Sequence, residues 1–371
     1  MKQKYVEKTY KELHQIPETA FKEFKTSKYI ITQLKKLNYT IEVVSGTGVI
    51  ATLDSGNPGI VFGIRADMDA LPFSIDGKTV NIHACAHDAN VAMILAMAKE
   101  VSETGIDKGK LVLLFQPAEE ELGGANALIK TGRINELNEL VGIHLRPIQE
   151  AKLGEATPAL LHGGGCALNV KIKGVSAHGA RPHLGISSLD ATVTAVNAIN
   201  AIRVDPNIPH SIKVTKIQSE GSAPNIIPDT TKVVFDIRAQ ANSILNELLE
   251  KAKAAISETV KAFGATVKFK QDGTPAAEYD DDLVLAVTSA IETILGKSMP
   301  PFVTPGCEDF HFYGIELGVK TAYIGLGANL KPGLHHPDMS FDLKALSHGK
   351  DILKTIIFTK LKNTMPCPET D

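Results

Sequence analysis

The sequence predicts an α/β protein with a largely parallel sheet and a smaller α+β domain inserted into the chain. Apolar, strand-like runs alternate with helix-like segments along the first third of the chain, and strands separated by helices are typical of parallel sheets covered on both faces. The middle of the chain has the order β-α-β-β-α-β, which is the ferredoxin-like arrangement. Helices and strands alternate again after residue 274, so we expect the larger domain to be discontinuous.

The elements of the larger domain follow from the spacing of apolar residues. Between Val91 and Val101 these residues recur at helical spacing, which predicts a helix over residues 88–103 with Asp88 as a candidate cap. The remaining predictions are strands at 47–54, 60–65, 110–115, 139–145 and 321–326, and helices at 124–130 and 343–359.

Glycine-rich segments mark the two ends of the inserted domain. The run Gly163 to Gly165 is a plausible hinge, and a turn-like segment with Gly273 and Pro275 closes the insertion. We therefore predict a larger domain at 1–163 and 275–362 and a satellite domain at 164–274. Its predicted elements are strands at 168–173, 211–218, 232–238 and 266–269, and helices at 187–202 and 243–263. The last residues, 363–371, contain two prolines and little apolar surface, so we expect a disordered tail.

Composition excludes several classes of function. The formal net charge of −3 offers no basic field, so we expect neither nucleic acid nor an anionic membrane as a partner. The sequence has no apolar signal segment and no apolar run of about 18 residues. The four cysteines, Cys85, Cys166, Cys307 and Cys367, are few and far apart, which fits a reducing compartment better than a disulfide framework. A cytoplasmic protein is the expectation.

Two adjacent carboxylates, Glu119 and Glu120, follow the apolar run 111–115, which Pro117 ends. In an open α/β sheet, ligands bind at the carboxyl ends of the strands. Two neighbouring carboxylates without a basic partner repel each other, and a cation would relieve that repulsion. A hydrolytic metal site needs a ligand beside a base, and this pair can divide those tasks. The alternative is a solvated acidic turn that continues into Glu121.

Other candidate ligands follow similar runs. Cys85 and His87 are two residues apart before a predicted helix, His144 ends an apolar strand, and His335-His336 lie in a loop before the last helix. Each has a simpler interpretation: a core cysteine beside a surface histidine, or a structural histidine. A cysteine nucleophile with a histidine base is a further alternative. Cys85, His87, Glu120, His144 and His335 together offer five donors, whereas one tetrahedral zinc takes about four, so two metals are favoured if all five converge.

These residues lie in a series of motifs that closely resembles the amidohydrolase branch of the zinc aminoacylase and carboxypeptidase superfamily, which includes hippurate hydrolases and auxin-conjugate hydrolases. The resemblance extends to about residue 362. The motifs are Leu13-His14 with Pro17-Glu18, Arg65-Ala66-Asp67-Met68-Asp69-Ala70-Leu71-Pro72, His83-Ala84-Cys85-x-His87-Asp88, Gln116-Pro117-Ala118-Glu119-Glu120, Gly142-Ile143-His144, Ala177-His178-Gly179-Ala180-Arg181-Pro182-His183, Asn225-Ile226-Ile227-Pro228, Glu308-Asp309-Phe310 and Leu334-His335-His336-Pro337.

The resemblance implies a catalytic domain of the dinuclear metallopeptidase type, with a mixed, largely parallel sheet, and a ferredoxin-like satellite domain that serves as lid and dimer contact. It implies a homodimer and two divalent ions, zinc or manganese, per subunit. The implied metal ligands are Cys85, His87, Glu120, His144 and His335.

The resemblance also assigns roles to residues around the metals. Glu119 is implied as the general base, and Asp69 as a carboxylate behind the ligands. His178 is implied to steady the oxyanion in the active site of the partner subunit. Asn225 and Arg238 match positions that hold a substrate carboxylate, although the residue pattern alone favours a strand-edge salt bridge for Arg238.

The expected activity is a metal-dependent amidohydrolase that cleaves N-acyl amino acids, with a metal-activated water and a glutamate base. Two departures bear on it: the family usually has glycine at Ala86 and histidine at Asn90. A methyl group at Ala86 would matter if φ is positive. A dipeptidase or carboxypeptidase with the same site is one alternative. A catalytically weak or inactive ligand-binding relative is another.

Overall fold

The computed structural model describes residues 2–221, 223–304 and 306–363. The chain forms two compact units. The first comprises Met1–Leu160, Glu278–Val303 and Glu308–Asp371, and the second comprises Leu161–Ala277 and Thr304–Cys307. Residues 304–307, which the sequence analysis assigns to the larger domain, thus group with the second unit. Except for Asn363, the predicted tail at 363–371 lies outside the described residues.

The strands and helices have the following bounds. The strands are β1 (Thr40–Val44), β2 (Gly48–Asp54), β3 (Val61–Asp67), β4 (Leu71–Ile75), β5 (Lys78–Ile82), β6 (Lys110–Gln116), β7 (Glu139–Pro147), β8 (Ala156–Thr157), β9 (Leu160–His162), β10 (Gly164–Lys173), β11 (Ala177–His178), β12 (His210–Glu220), β13 (Ile226–Ile227), β14 (Thr230–Ala239), β15 (Thr266–Thr274), β16 (Phe302–Thr304) and β17 (Lys320–Leu330). The helices are α1 (Lys2–Leu13), α2 (Phe24–Leu34), α3 (His87–Thr104), α4 (Gly124–Ile129), α5 (Ser188–Asn200), α6 (Asn242–Ala262), α7 (Asp281–Leu295), α8 (His311–Leu317) and α9 (Lys344–Leu361).

The first unit is built on a seven-stranded sheet with the order β1-β2-β6-β3-β7-β17-β8. The four central strands, β6, β3, β7 and β17, are parallel. The outer strands β1, β2 and β8 pair antiparallel, so the sheet is mixed and parallel at its centre, as the resemblance implied. The cause is local at β1 and β2, because the short turn at Ser45 and Gly46, both with positive φ, can join only antiparallel strands.

Alternation along the central strands places apolar side chains on both faces of this sheet. On β6, Leu111, Leu113 and Phe115 belong to one buried cluster, whereas Val112 and Leu114 belong to another. A strand with two buried faces reads as a continuous apolar run, which is how the sequence identified it. The larger cluster includes residues of α3, α7 and α9, and α4 and α8 contribute to the smaller one.

Helix α3 begins one residue before the predicted start. Its N-cap is Ala86, which makes no side-chain capping bond, so the expectation of a cap at Asp88 is wrong. Asp88 lies in the first turn, where its carboxylate is 2.6 Å from Nδ1 of His14. An N-cap residue immediately precedes the first residue of its helix. Because α3 begins at His87, the cap position falls on Ala86, and Asp88 lies inside the helix.

The second unit has the element order β10-α5-β12-β14-α6-β15, with the short strands β11 and β13 between the longer ones. Its four-stranded sheet has the order β12-β14-β10-β15 and is antiparallel throughout. Residues of α5 and α6 pack in its own buried cluster. Over the described ranges, no helix is long and apolar enough to cross a bilayer.

Candidate metal centre

The carboxyl ends of the central strands carry most of the predicted site residues. Glu119 and Glu120 follow β6, Asp69 follows β3, and His144 lies near the end of β7. Because these three strands are parallel, their carboxyl ends meet at one edge of the sheet. Two further segments supply the remaining ligands, the loop before α3 and the loop before α9.

Six sequence-predicted residues of the first unit converge at this edge. Their candidate ligand atoms form three overlapping groups, within each of which all the atoms lie within 4.8 Å of one another. The groups are Cys85, His87 and His144; Cys85, Glu120 and His335; and His87, Glu119 and Glu120. The alternative of a solvated acidic turn does not describe Glu119, which is buried.

The distances from His87 are too long for hydrogen bonds and suit atoms arranged around a common centre. Nε2 of His87 is 3.8 Å from Glu119 and 3.9 Å from Glu120, whereas Nε2 of His335, at 3.4 Å from Glu120, is within reach of a long hydrogen bond. In the described part of the chain, Nε2 of His87 and Oε1 of Glu120 are buried without a hydrogen-bond partner. Such unpaired buried atoms call for a ligand, and imidazole, carboxylate and thiol donors fit a divalent transition metal.

Asp69 lies behind these groups and holds two of them in place. Its backbone oxygen and its Oδ1 are 3.0 and 3.2 Å from Nδ1 of His87, while its Oδ2 accepts a hydrogen bond from the backbone N–H of Glu120 at 3.1 Å. Engaging Nδ1 in this way turns Nε2 of His87 toward the site, as oxygen acceptors commonly do for metal-binding histidines.

The surroundings shift the pKa values of Glu119 and Glu120 in opposite directions. Burial raises the pKa of Glu119 well above its usual range, and the negative charges of Glu308 and Asp309 act in the same direction. Burial also opposes ionisation of Glu120, but the hydrogen bond from His335 and the charge of His87 outweigh it and lower the pKa of Glu120. Carboxyl groups whose pKa values are separated by their environments divide into a proton carrier and an anion.

Cys85 lies in surroundings that favour its thiolate form. Its Sγ is 3.5 Å from Nε2 of His144. Burial would raise the pKa of Cys85, but His87 and His144 outweigh burial and lower this pKa to about 6. The thiolate is the form that binds metal. A cysteine and a histidine from distant segments are also what a cysteine nucleophile would need.

Three loops that supply the site contain a non-glycine residue in the left-handed region. These residues are Ala86 (φ 62°), Ala118 (φ 54°) and His335 (φ 62°). Such a backbone costs roughly 1–2 kcal/mol for an ordinary residue, and strain of this kind clusters at functional sites. Ala86, where the family usually has glycine, therefore does occupy a glycine-like conformation, and it is fully buried between Cys85 and His87.

Asn90, the second departure, is accommodated by hydrogen bonding. Its Nδ2 donates to Oδ1 of Asp67 at 2.8 Å. Its own side-chain oxygen is buried without a partner among the described residues. The amide thus fixes a carboxylate that lies 3.7 Å from Nε2 of His87, and no predicted ligand is displaced.

The predicted substrate-binding residues lie in the second unit. Nδ2 of Asn225 is 3.5 Å from Nε2 of His178, and both side chains are exposed. Arg238 stands on the interior strand β14, where Nε is 3.1 Å from Asp236 and Nη1 donates to Sγ of Cys307 at 3.4 Å. The salt bridge that the residue pattern favoured for Arg238 is therefore present, although not at a sheet edge.

The sequence pattern of the M20/M25/M40 peptidase family matches residues 63–359. The chain belongs to this family. It is 31% identical to thermostable carboxypeptidase 1 of Saccharolobus solfataricus, over 89% of this chain and 88% of the relative. It is 28% identical to N-acetyldiaminopimelate deacetylase of Listeria innocua, over 94% of this chain and 98% of the relative.

A solved structure of an M20 family member shares the fold. The YXEP protein of Bacillus subtilis, described as a dinuclear metal-binding peptidase, superimposes with a TM-score of 0.80 at 24% identity, over 97% of this chain and 98% of that chain. Membership of the M20 family makes the chain a hydrolase of amide or peptide bonds. Its groups of metal-binding side chains lie at the strand ends described above.

Arg65 lies in a motif of the resemblance, but the sequence analysis gave it no role at the site. Arg65, on β3, is almost fully buried, and its guanidinium lies 2.6 Å from Asp67, 3.0 Å from Glu308 and 2.9 Å from Asp309. Oxygens of the last two residues and of Glu119 lie within 4.8 Å of one another. The signal was available, because an arginine and an aspartate inside an apolar strand must be paired if that strand is buried.

Proposed function

We propose that this M20 hydrolase is a metal-dependent amidohydrolase that removes the acyl group from N-acyl amino acids. The observation that carries the proposal is the overlap of the three donor groups, in which Cys85, His87 and Glu120 each belong to two. Shared donors favour a pair of ions over a single one. Zinc or manganese would be held by these three residues with His144 and His335.

The chemistry divides between the metals and the protein. When bound, such ions polarise a carbonyl group and make water a stronger nucleophile at neutral pH. Glu119 accepts a proton from the attacking water and donates it to the departing amide nitrogen. Its position supports this role, because it is buried beside His87 and bonded to none of the cationic side chains that hold Glu308 and Asp309.

Residues of the second unit complete the proposed site. Asn225 and Arg238 bind the free carboxylate of the substrate, for which an arginine offers paired donors. His178 steadies the developing oxyanion from the partner subunit of a homodimer, and the inserted domain serves as lid and dimer contact. Supporting this, His178 and Asn225 are exposed neighbours.

The substrate class rests on relatives and motifs. The Listeria innocua relative is named for the deacetylation of an N-acetyl amino acid, which supports an acyl-group hydrolase. The motifs further suggest kinship with the bacterial amidohydrolase AmhX and a cytoplasmic location, and both stay predictions. The Saccharolobus solfataricus relative is named a carboxypeptidase, which favours cleavage of a carboxyl-terminal residue as the second candidate.

The test is a substrate panel of N-acetyl and N-benzoyl amino acids beside dipeptides, with products identified. We expect acyl release by metal-reconstituted protein, loss of activity on chelation, and loss in Glu119→Gln. Glu121→Gln, at the exposed neighbouring position, is the matched control and should stay active. Preference for dipeptides would select the second candidate. Chelator-resistant activity that disappears in Cys85→Ser would instead establish a cysteine hydrolase and end the metal mechanism.

A further inference from the structure

Glu23, a residue outside the predicted site, is a fully buried carboxylate at the start of α2. No cationic side chain of the described residues lies within 4.0 Å of it. Its oxygens instead accept three hydrogen bonds. Oε1 accepts from the backbone N–H groups of Phe21 and Ala118, each at 3.0 Å, and Oε2 accepts from the hydroxyl of Thr47 at 2.6 Å. A carboxylate buried without a cation is costly unless such bonds compensate it.

Both backbone amides that bind Oε1 belong to strained residues. Phe21 has φ 57° and Ala118 has φ 54°, and a bulky residue such as phenylalanine is an outlier in this region. Ala118 immediately precedes Glu119. Its own carbonyl accepts hydrogen bonds from Gly123 and Gly124 at 3.2 and 3.1 Å. The turn that carries Glu119 is therefore held by hydrogen bonds at both the N–H and the carbonyl of Ala118. Glu23 accepts the bond from the N–H.

Buried carboxylates hold the backbone on each side of Glu119. Glu23 binds the N–H of Ala118, and Asp69 binds the N–H of Glu120 at 3.1 Å. The first bond holds the peptide plane that precedes Ala118, and the second holds the plane between Glu119 and Glu120. Together with the left-handed φ of Ala118 they set the direction of the Glu119 side chain. Without the first bond, Ala118 can relax to an ordinary φ, which swings Glu119 away from Nε2 of His87, now 3.8 Å distant.

We propose that Glu23 is a positioning residue for Glu119, acting through the left-handed conformation of Ala118. The inference rests on the proposed role of Glu119 as the proton carrier. Misplacement of a reacting group by about 1 Å costs on the order of 10²-fold in rate. Methionine has a similar length but no oxygen to accept from the two amides, whereas glutamine would keep one. We therefore expect Glu23→Met to lower kcat by roughly 10- to 100-fold while KM and metal content stay near those of the unmodified protein.

The matched control is Glu18→Met. Glu18 lies in the same segment, and its Oε2 also accepts three hydrogen bonds, but from Lys25 and Thr26 only. Its loss should affect folding stability without lowering kcat. A double variant distinguishes positioning of Glu119 from a merely structural role. If Glu23 acts through Glu119, adding Glu23→Met to Glu119→Gln leaves the residual kcat unchanged, because the effects are not additive.

Hydrogen–deuterium exchange tests the same inference without any substrate. Glu23→Met should speed exchange of the amides in residues 116–124, and Glu18→Met should not. Thr47→Val, which removes only the hydroxyl at Oε2, gives a milder variant should Glu23→Met fold poorly. Unchanged exchange, a kcat within twofold of the unmodified protein, or additive losses in the double variant would overturn the positioning role. If the protein hydrolyses none of the acyl substrates, the proposed function is refuted. The hydrogen–deuterium exchange result then tests the role of Glu23 by itself.

Discussion

Helix α3 carries a cluster of charged side chains near each end, fully buried at most positions near the N-terminal end and partly buried near the C-terminal end. The two clusters differ in how their charges are balanced. Near the C-terminal end, Glu100 bonds to Lys350 at 2.6 Å and to Lys354 at 2.5 Å. Asp351 lies 2.9 and 3.4 Å from the same two ammonium groups. Two carboxylates thus meet two ammonium groups, and the cluster is complete in itself.

At the N-terminal end, His87 faces four carboxylates instead. Asp67, Asp69, Glu119 and Glu120 all lie within 4.0 Å of its ring nitrogens. The nearest permanent cation, Arg65, is already committed to Asp67, Glu308 and Asp309. A buried excess of negative charge is unfavourable unless a cation joins it. The contrast supports the proposal that one cluster stabilises the fold and the other receives metal ions.

The largest effect that sharpens this contrast is expected for Glu119→Gln. The amide keeps the volume and position of the side chain but cannot carry a proton. We expect kcat to fall by roughly 10²- to 10⁴-fold, the usual contribution of a general base, with metal content unchanged. Steady-state kinetics and elemental analysis on the same preparation test this. Loss of metal together with activity would instead make Glu119 a ligand.

Glu100→Gln should break the balanced cluster without touching catalysis. The substitution leaves the almost fully buried Lys350 without its main partner, and breaking a buried pair costs about 3–5 kcal/mol of unfolding free energy. Denaturant unfolding measures this loss, and kcat of the folded fraction should stay unchanged. A kcat loss comparable to that of Glu119→Gln would contradict the separation of the two clusters.

The same variant predicts a pH dependence with a definite sign. Burial raises the pKa of Glu100, but the bonds from Lys350 and Lys354 outweigh it and leave the pKa below the ordinary 4.5. A carboxyl group whose pKa is lower in the folded state stabilises the fold at pH values above its unfolded-state pKa. This stabilisation is lost as the pH falls through the folded-state pKa. The stability difference between the two proteins should thus be constant at neutral pH and shrink below about pH 4.5. A difference that grows on acidification would refute the assignment.

Asp69→Asn should weaken the metal centre by a smaller amount. The amide can still accept one hydrogen bond, but it cannot serve both His87 and the backbone of Glu120 as the carboxylate does. Changes of this kind behind a metal ligand cost about 10- to 100-fold in affinity. Competition with a chromophoric chelator measures that affinity. Asp54→Asn, at an exposed pair with Lys110, is the control and should bind metal normally.

The smallest effect is expected for Ala86→Gly. Glycine relieves the left-handed strain, worth roughly 1–2 kcal/mol, but removes a buried methyl worth about 0.8 kcal/mol and increases the entropy of the unfolded chain. These terms nearly cancel, so the unfolding free energy should change by less than about 1 kcal/mol, with kcat within a few-fold. A tenfold gain in activity would show that the methyl group impairs the site.

Much of the fold could be read from hydrophobic spacing. The strand predicted at 110–115 is observed as Lys110–Gln116, and the helix predicted at 88–103 as His87–Thr104. The antiparallel outer strands could not be read, because spacing shows burial and not which strands pair. The hairpin of β4 and β5 was missed although Asp76-Gly77, both with positive φ, is a strong turn signal.

The ligand residues could be named from the sequence because their side chains carry the chemistry themselves. No role could be assigned to Arg65 or Glu23 from the sequence. Their importance comes from their burial and from hydrogen bonds to carboxylates or backbone amides, and these depend on tertiary packing. For Asp88 the sequence predicted a role that the structure does not show. The prediction of a helix cap considered only local hydrogen bonds, whereas the Asp88 carboxylate contacts His14, a residue distant in sequence.

Metal stoichiometry tests the central claim most directly. The protein is stripped with a chelator, reconstituted with zinc or manganese, desalted, and assayed by elemental analysis beside Glu120→Ala and Glu100→Gln. The charge imbalance at the N-terminal end of α3 predicts about two equivalents per chain in the unmodified protein and in Glu100→Gln, and a marked loss in Glu120→Ala. A folded protein that retains no metal after reconstitution, or equal retention in all three, would contradict the assignment of this cluster as a metal centre.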